Sequence, residues 1–165
     1  MKYLAYFQPN KELSDLILKQ KHLALPSSGL HSTLCFFHME PEHENKLITD
    51  LSQINFNPLK IKTLGYDNFD KNSLVIKLSN SNELLQLHKK ILSVVRNYAP
   101  LGLGTSSKQY LGDDYNPHLT ISKSSSKFDR NSKELIDRKD RITKYTLTKK
   151  IDGNWRKIQD FYSAE

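Results

Sequence analysis

Two stretches decide how this chain is read: His31-Ser32-Thr33-Leu34-Cys35-Phe36-Phe37 and Pro117-His118-Leu119-Thr120-Ile121-Ser122-Lys123. Both carry His-x-Thr followed by an aliphatic residue, and both have the apolar content of a short strand. Thr fills only 8 of the 165 positions and apolar residues 37% of the chain. Two such matches among six histidines therefore arise by chance with a probability of roughly half a percent, low enough to read the pair as a signal. On a strand, residues i and i+2 project from the same face. His31 then shares a face with Thr33, and His118 with Thr120, while Leu34 and Leu119 point the other way.

Working outward, each stretch sits in a similar setting. Residues 2–7 form an aromatic-aliphatic run expected to be a strand, and residues 10–20 place Leu13, Leu16 and Ile17 on one helical face. Pro26, Ser27, Ser28 and Gly29 make a turn before the first His-x-Thr strand at 31–38. A helix is expected over 42–54 and a strand over 59–65. The pattern then repeats with a strand at 73–79, a capping-box signal at Asn80 and Glu83, and a long helix carrying Leu84, Leu85, Ile91, Leu92 and Val95. A long loop over 98–116 leads to the second His-x-Thr strand at 117–122. Asn131 and Glu134 suggest a short capped helix around Leu135 and Ile136. Strands near 144–151 and 155–162 close the chain, joined by the hairpin signal Asp152-Gly153. Each half reads strand, helix, strand, helix, strand. The expected class is α+β in one domain over 1–165: a bilobal, pseudo-twofold duplication with two antiparallel sheets facing a central groove and helices outside.

Composition narrows the function classes. No apolar run approaches the roughly 20 residues of a membrane helix, and the N-terminus is too short and too aromatic for a signal-peptide core. Cys35 is the sole cysteine, which excludes an intrachain disulfide and a cysteine metal cage. A cytoplasmic monomer without membrane contact is expected. The net charge of +7 lies entirely within residues 123–157, which hold 12 Lys/Arg against 5 Asp/Glu. Such a block suits a polyanionic partner, RNA or another oligonucleotide, as well as a plain solvated surface.

Two facing His-Thr stripes suit phosphodiester cleavage. One neutral imidazole takes a proton from the nucleophile, and a protonated one gives a proton to the leaving oxygen. The threonine hydroxyls donate to non-bridging phosphate oxygens. This chemistry needs no metal and no cofactor. Other residues carry weaker signals. Tyr110 and Tyr115, in the loop before the second motif, and Phe37, on the His31 side by strict alternation, are candidates for stacking on a base. Cys35 falls on that side too, without a base partner that would make it a nucleophile. Trp155 and Phe161 share parity and are expected in the core. His88 lies beside the apolar face of its helix and reads as a packing or capping residue. His38 and His43 lie among Glu40, Glu42 and Glu44 in a stretch that reads as a solvated helix start.

The paired His-x-Thr-aliphatic motifs in a duplicated frame resemble the 2H phosphoesterase superfamily, most closely its 2′-5′ RNA ligase-like and cyclic phosphodiesterase branch. The second copy is the better match. Leu64-Gly65-Tyr66 with Leu74 to Leu78 resembles the family's mid-chain strand pair. The resemblance implies a bilobal fold, His31 and His118 as acid and base, and Thr33 and Thr120 as phosphate ligands. Lys123, where these enzymes often carry arginine, is a further candidate for phosphate, without arginine's bidentate geometry. It also implies RNA-type substrates, either 2′,3′-cyclic phosphates or 2′-5′ linkages. Degradation of oligonucleotide second messengers and non-catalytic RNA binding are the alternatives. No nucleotide-transfer lysine motif supports an ATP-driven ligase.

Overall fold

The computed structural model describes residues 1–19, 29–69, 73–99, 111–122 and 135–164. Among the described residues eight strands are formed: β1 (Lys2–Phe7), β2 (Ser32–His38), β3 (Leu59–Phe69), β4 (Ser73–Leu78), β5 (His118–Ser122), β6 (Lys139–Ile142), β7 (Lys144–Ile151) and β8 (Asn154–Tyr162). Three α-helices among the same residues accompany them: α1 (Lys11–Leu18), α2 (Glu44–Ser52) and α3 (Asn82–Arg96). The strands make two four-stranded antiparallel sheets, ordered β2-β1-β7-β8 and β5-β4-β3-β6.

The α+β class and the two antiparallel sheets agree with the expectation, but the halves are interleaved. The C-terminal hairpin β7–β8 joins the N-terminal strands through the β1–β7 pairing, and the middle of the chain supplies the second sheet. The expected hairpin turn is present. Asp152 and Gly153 both have positive φ, 48° and 82°, the conformation a two-residue type I′ turn requires. The cap of α3 is Ser81 rather than Asn80: the Ser81 side chain accepts from Leu84 N, while Asn80 Nδ2 donates to Tyr115 O at 2.7 Å. Strand β6 was not legible in sequence, because Lys139-Asp140-Arg141-Ile142 lacks the apolar content of a strand. Asn131 and Glu134, like most of the 98–116 loop, lie outside the described residues.

One face of each sheet is closed by apolar side chains. In the first sheet these are Tyr3, Ala5, Phe37, Tyr145 and Leu147, and in the second Leu59, Ile61, Leu74, Ile76, Leu119 and Ile121, all buried in one continuous core. The helices contribute Leu13 and Ile17, Leu47 and Leu51, and Leu84, Leu87, Ile91 and Val95 to it.

Four register slips decide what the opposite faces carry. In β2, Ala5 pairs with Cys35 and Tyr6 with Thr33, so Leu34 is the extra residue. In β8, Leu147 pairs with Gln159 and Thr148 with Lys157, which leaves Ile158 extra. Leu64 in β3 and Ile121 in β5 are extra in the same way. A bulge of one residue reverses side-chain alternation beyond it.

Candidate active site

His31 stands one residue before β2 and His118 opens β5. Their local geometry matches. His31 Nδ1 lies 2.8 Å from Gly29 O, and His118 Nδ1 lies 2.8 Å from Asn116 O. A carbonyl oxygen only accepts, so each Nδ1 carries the proton and donates to the carbonyl two residues earlier. The basic lone pair of each neutral imidazole is therefore on Nε2. Gly29 has φ +73°, a left-handed conformation that glycine adopts without strain.

Both imidazoles and both threonine side chains are half-buried, and β2 and β5 touch across the sheets. Burial pushes the His31 pKa below its ordinary value, the bond to Gly29 opposes this, and the charge of His118 lowers it further. Burial likewise lowers His118 against the opposing bond to Asn116. Protonation of His118 thus disfavours protonation of His31.

Thr33 pairs with Tyr6, whose ring meets His31 edge-on at 5.1 Å between centroids. Thr120 pairs with Val75 and His118 with Lys77. Lys77 Nζ is in turn 3.5 Å from Asp67 Oδ2.

The aromatic expectations are corrected. Phe37 is fully buried and stacks on Tyr3 at 5.4 Å, because the Leu34 bulge turns Cys35 and Phe37 into the core. Cys35 is buried there as well, and burial pushes its thiol up to about 12, so it is no nucleophile at neutral pH. Tyr115 is 6% exposed; its hydroxyl donates to Thr33 O at 3.1 Å and its ring lies on His88, so no base can reach it. Tyr110 and Lys123 lie outside the described residues.

The bulges bring other aromatics to the Thr33 side. Phe36 shares that face with Tyr6 and Leu4 through the pairings Leu4–Phe36 and Tyr6–Thr33. Trp155, displaced from the core side by the Ile158 bulge, meets Phe36 edge-on at 6.2 Å, and Lys150 Nζ sits 5.9 Å from the indole. Phe161 alone of the expected pair reaches the core, stacked on Tyr145 at 4.8 Å. Sequence reasoning missed Phe36 and Trp155 because Leu34 to Phe37 is apolar throughout, and an unbroken apolar run does not reveal which residue is the extra one.

His88 is a structural residue, as its helix position suggested. It is fully buried, its Nδ1 donates to Leu34 O at 2.7 Å, and its Nε2 accepts from Gly112 N at 2.9 Å. Glu44, expected in a solvated helix start, instead ties three elements. It receives Lys149 Nζ at 2.8 Å and the Tyr3 hydroxyl at 3.0 Å.

No helix among the described residues is long and apolar enough to cross a membrane. The family model for the 2′-5′ RNA ligase superfamily matches residues 13–146. No curated protein sequence matches the chain significantly. Among solved structures, the fold is similar to that of a phosphoesterase (TM-score 0.73, 15% identity, 99% of this chain and 98% of that one). It is also similar to TT0787 of Thermus thermophilus (0.71, 16%, 98% and 97%) and to Escherichia coli LigT complexed with 3′-AMP (0.72, 15%, 99% and 98%). With the family model spanning both His-x-Thr strands, the chain belongs to the 2′-5′ RNA ligase superfamily of 2H phosphoesterases.

Proposed function

We propose that this phosphoesterase hydrolyses an RNA-type phosphodiester, a 2′,3′-cyclic phosphate or a 2′-5′ linkage, with His31 and His118 as the acid–base pair. The supporting observation is the matched pair of Nδ1-to-carbonyl bonds at 2.8 Å, which gives both rings the same tautomer. One Nε2 takes a proton from water as its oxygen attacks phosphorus. The other histidine, protonated, gives its proton to the ribose oxygen that leaves, so one P–O bond forms and one breaks. The Thr33 and Thr120 hydroxyls donate to the non-bridging oxygens, whose negative charge they stabilise as it builds up. A bound phosphate dianion or monoanion raises the pKa of the adjacent imidazoles and restores the charged one. LigT has been solved with phosphate and with 3′-AMP, ligands of the chemistry expected here.

Tyr6, Phe36 and Trp155 are the half-exposed aromatics on the Thr33 side, and we assign base contact to this face in place of Phe37 and Tyr115. A substrate panel tests the reading: 2′,3′-cyclic nucleotides, 2′-5′ and 3′-5′ oligoadenylates and cyclic dinucleotides, with wild type beside His31→Ala and His118→Ala in the presence of chelator. Turnover of a cyclic phosphate or 2′-5′ linkage that either substitution abolishes supports it. Turnover that survives the double substitution overturns it. Preference for oligoadenylates or cyclic dinucleotides assigns the enzyme to second-messenger degradation instead of RNA-end processing.

A further inference from the structure

We propose that the β3–β6 rim of the second sheet binds the phosphate backbone of a single-stranded oligonucleotide whose end occupies the His31/His118 site. The inference rests on that site's phosphodiesterase reading for the position of the end, and on independent features for the rim. In the β3–β6 ladder Lys60 lies opposite Arg141 and Lys62 opposite Lys139. Two successive cross-strand pairs are thus like-charged, an arrangement that weakens a sheet. Leu59, Ile61 and Ile142 take the buried side of the same ladder, so all four cations share the other face. Asp137 offsets Lys62 at 3.1 Å. Among the described residues Lys60, Lys139 and Arg141 form no ion pair. Such an arrangement suits an anionic partner.

The rim continues the catalytic face. The Leu64 bulge reverses alternation within β3, which places Lys60 and Lys62 on the same face as Gly65 and Asp67. Gly65 pairs with Lys77, and Lys77 with His118. Ser79 joins the same face, its Oγ accepting from Lys62 N at 2.9 Å. From His118 the face runs through Lys77, which Asp67 offsets at 3.5 Å, and Lys62 to the unpaired Lys139 and Arg141, across three strand spacings of about 4.8 Å each. That span exceeds one nucleotide and matches the repeated charge of a chain. At its far end Lys60, Lys62, Ser79, Lys139 and Arg141 line an open hollow of about 590 Å³. The one carboxylate there, Asp140, is 6% exposed and accepts from the backbone N–H of Asn10 at 2.7 Å and of Arg141 at 2.6 Å. Its lone pairs are turned to the fold rather than to the three uncompensated cations.

The test compares wild type with the triple variant Lys60→Glu/Lys139→Glu/Arg141→Glu. Binding of a labelled single-stranded oligoribonucleotide ending in a 2′,3′-cyclic phosphate is followed by fluorescence anisotropy over a salt series, alongside hydrolysis of a 2′,3′-cyclic mononucleotide. The variant is expected to bind the oligonucleotide at least about tenfold more weakly at low salt. The slope of log affinity against log salt should shrink by about 0.7 for each phosphate that the variant no longer neutralises. Mononucleotide turnover stays within about twofold, which also shows that the variant is folded. The neutral variant Lys60→Gln/Lys139→Gln/Arg141→Gln gives a smaller loss in the same direction. An unchanged oligonucleotide affinity and salt slope overturns the proposal. So does a variant that binds RNA normally and loses binding only to an acidic peptide or to anionic vesicles. Should wild type turn over no phosphodiester, the catalytic reading falls while the anisotropy series still decides the rim.

Discussion

His88 and Tyr115 lie face to face, ring centroids 4.1 Å apart and planes inclined by only 6°. Together they hold the β2 bulge: His88 Nδ1 donates to Leu34 O and the Tyr115 hydroxyl to Thr33 O. His88 belongs to α3 and Tyr115 to the segment leading into β5. The stack therefore connects both His-x-Thr strands, and the bulge it secures decides that Thr33 and Phe36, rather than Phe37, share a face.

Loss of this stack is expected to cost stability in proportion to the groups it orphans. Tyr115→Phe deletes one hydrogen bond and costs about 1 kcal/mol. His88→Ala leaves Leu34 O and Gly112 N unpaired and opens a void, for about 3 kcal/mol. Urea denaturation measures both, and equal costs would argue against the two-sided role of His88.

Replacement of His31 or His118 by Ala is expected to lower kcat by about 10²–10⁴ with melting temperature little changed, since both rings are half-buried at strand ends. Thr33→Val and Thr120→Val should each lower kcat by about 10². A loss confined to KM would instead make the hydroxyls ground-state binders.

The acid limb of kcat/KM should lie below the ordinary histidine pKa of about 6.5, because burial lowers both His31 and His118. As pH falls through the lowered value the general base is protonated and activity is lost. An acid-limb inflection above 7 would contradict the assignment. Stability follows the same sign. His31, His88 and His118 are all lowered by burial, so the unfolded chain binds more protons near pH 6. Their contribution is fully present above about 6.5 and is lost as pH falls through the folded values. Thermal melts across that interval check it, and His88→Asn should flatten the slope.

Phe36→Ala and Phe37→Ala are expected to separate function from stability. The first should raise KM for nucleotide substrates by roughly tenfold, as loss of base–aromatic stacking does, at modest cost to the fold. The second empties a fully buried site stacked on Tyr3 and should cost about 3–5 kcal/mol. The reverse outcome would return Phe37 to the groove.

The sequence by itself specified most of the elements, β6 excepted, and the motif pair. The helical faces of α1 and α3, the Asp152-Gly153 turn and the strands that follow His31 and begin at His118 come from local periodicity and turn chemistry, which a chain carries residue by residue. Only the tertiary structure decided which side chains share a surface. Alternation fails at Leu34, Leu64 and Ile158, where one unpaired residue sends Phe37 inward and Phe36 and Trp155 outward and puts Lys60 and Lys62 on the His118 face. The basic C-terminal third was visible as composition, yet Lys149 is consumed by Glu44, and Lys144 and Lys157 by Asp160. Lys139 and Arg141 meet Lys60 and Lys62 from a distant segment instead. A bulge and a cross-strand pair depend on the partner strand, and a single strand's pattern does not contain its partner.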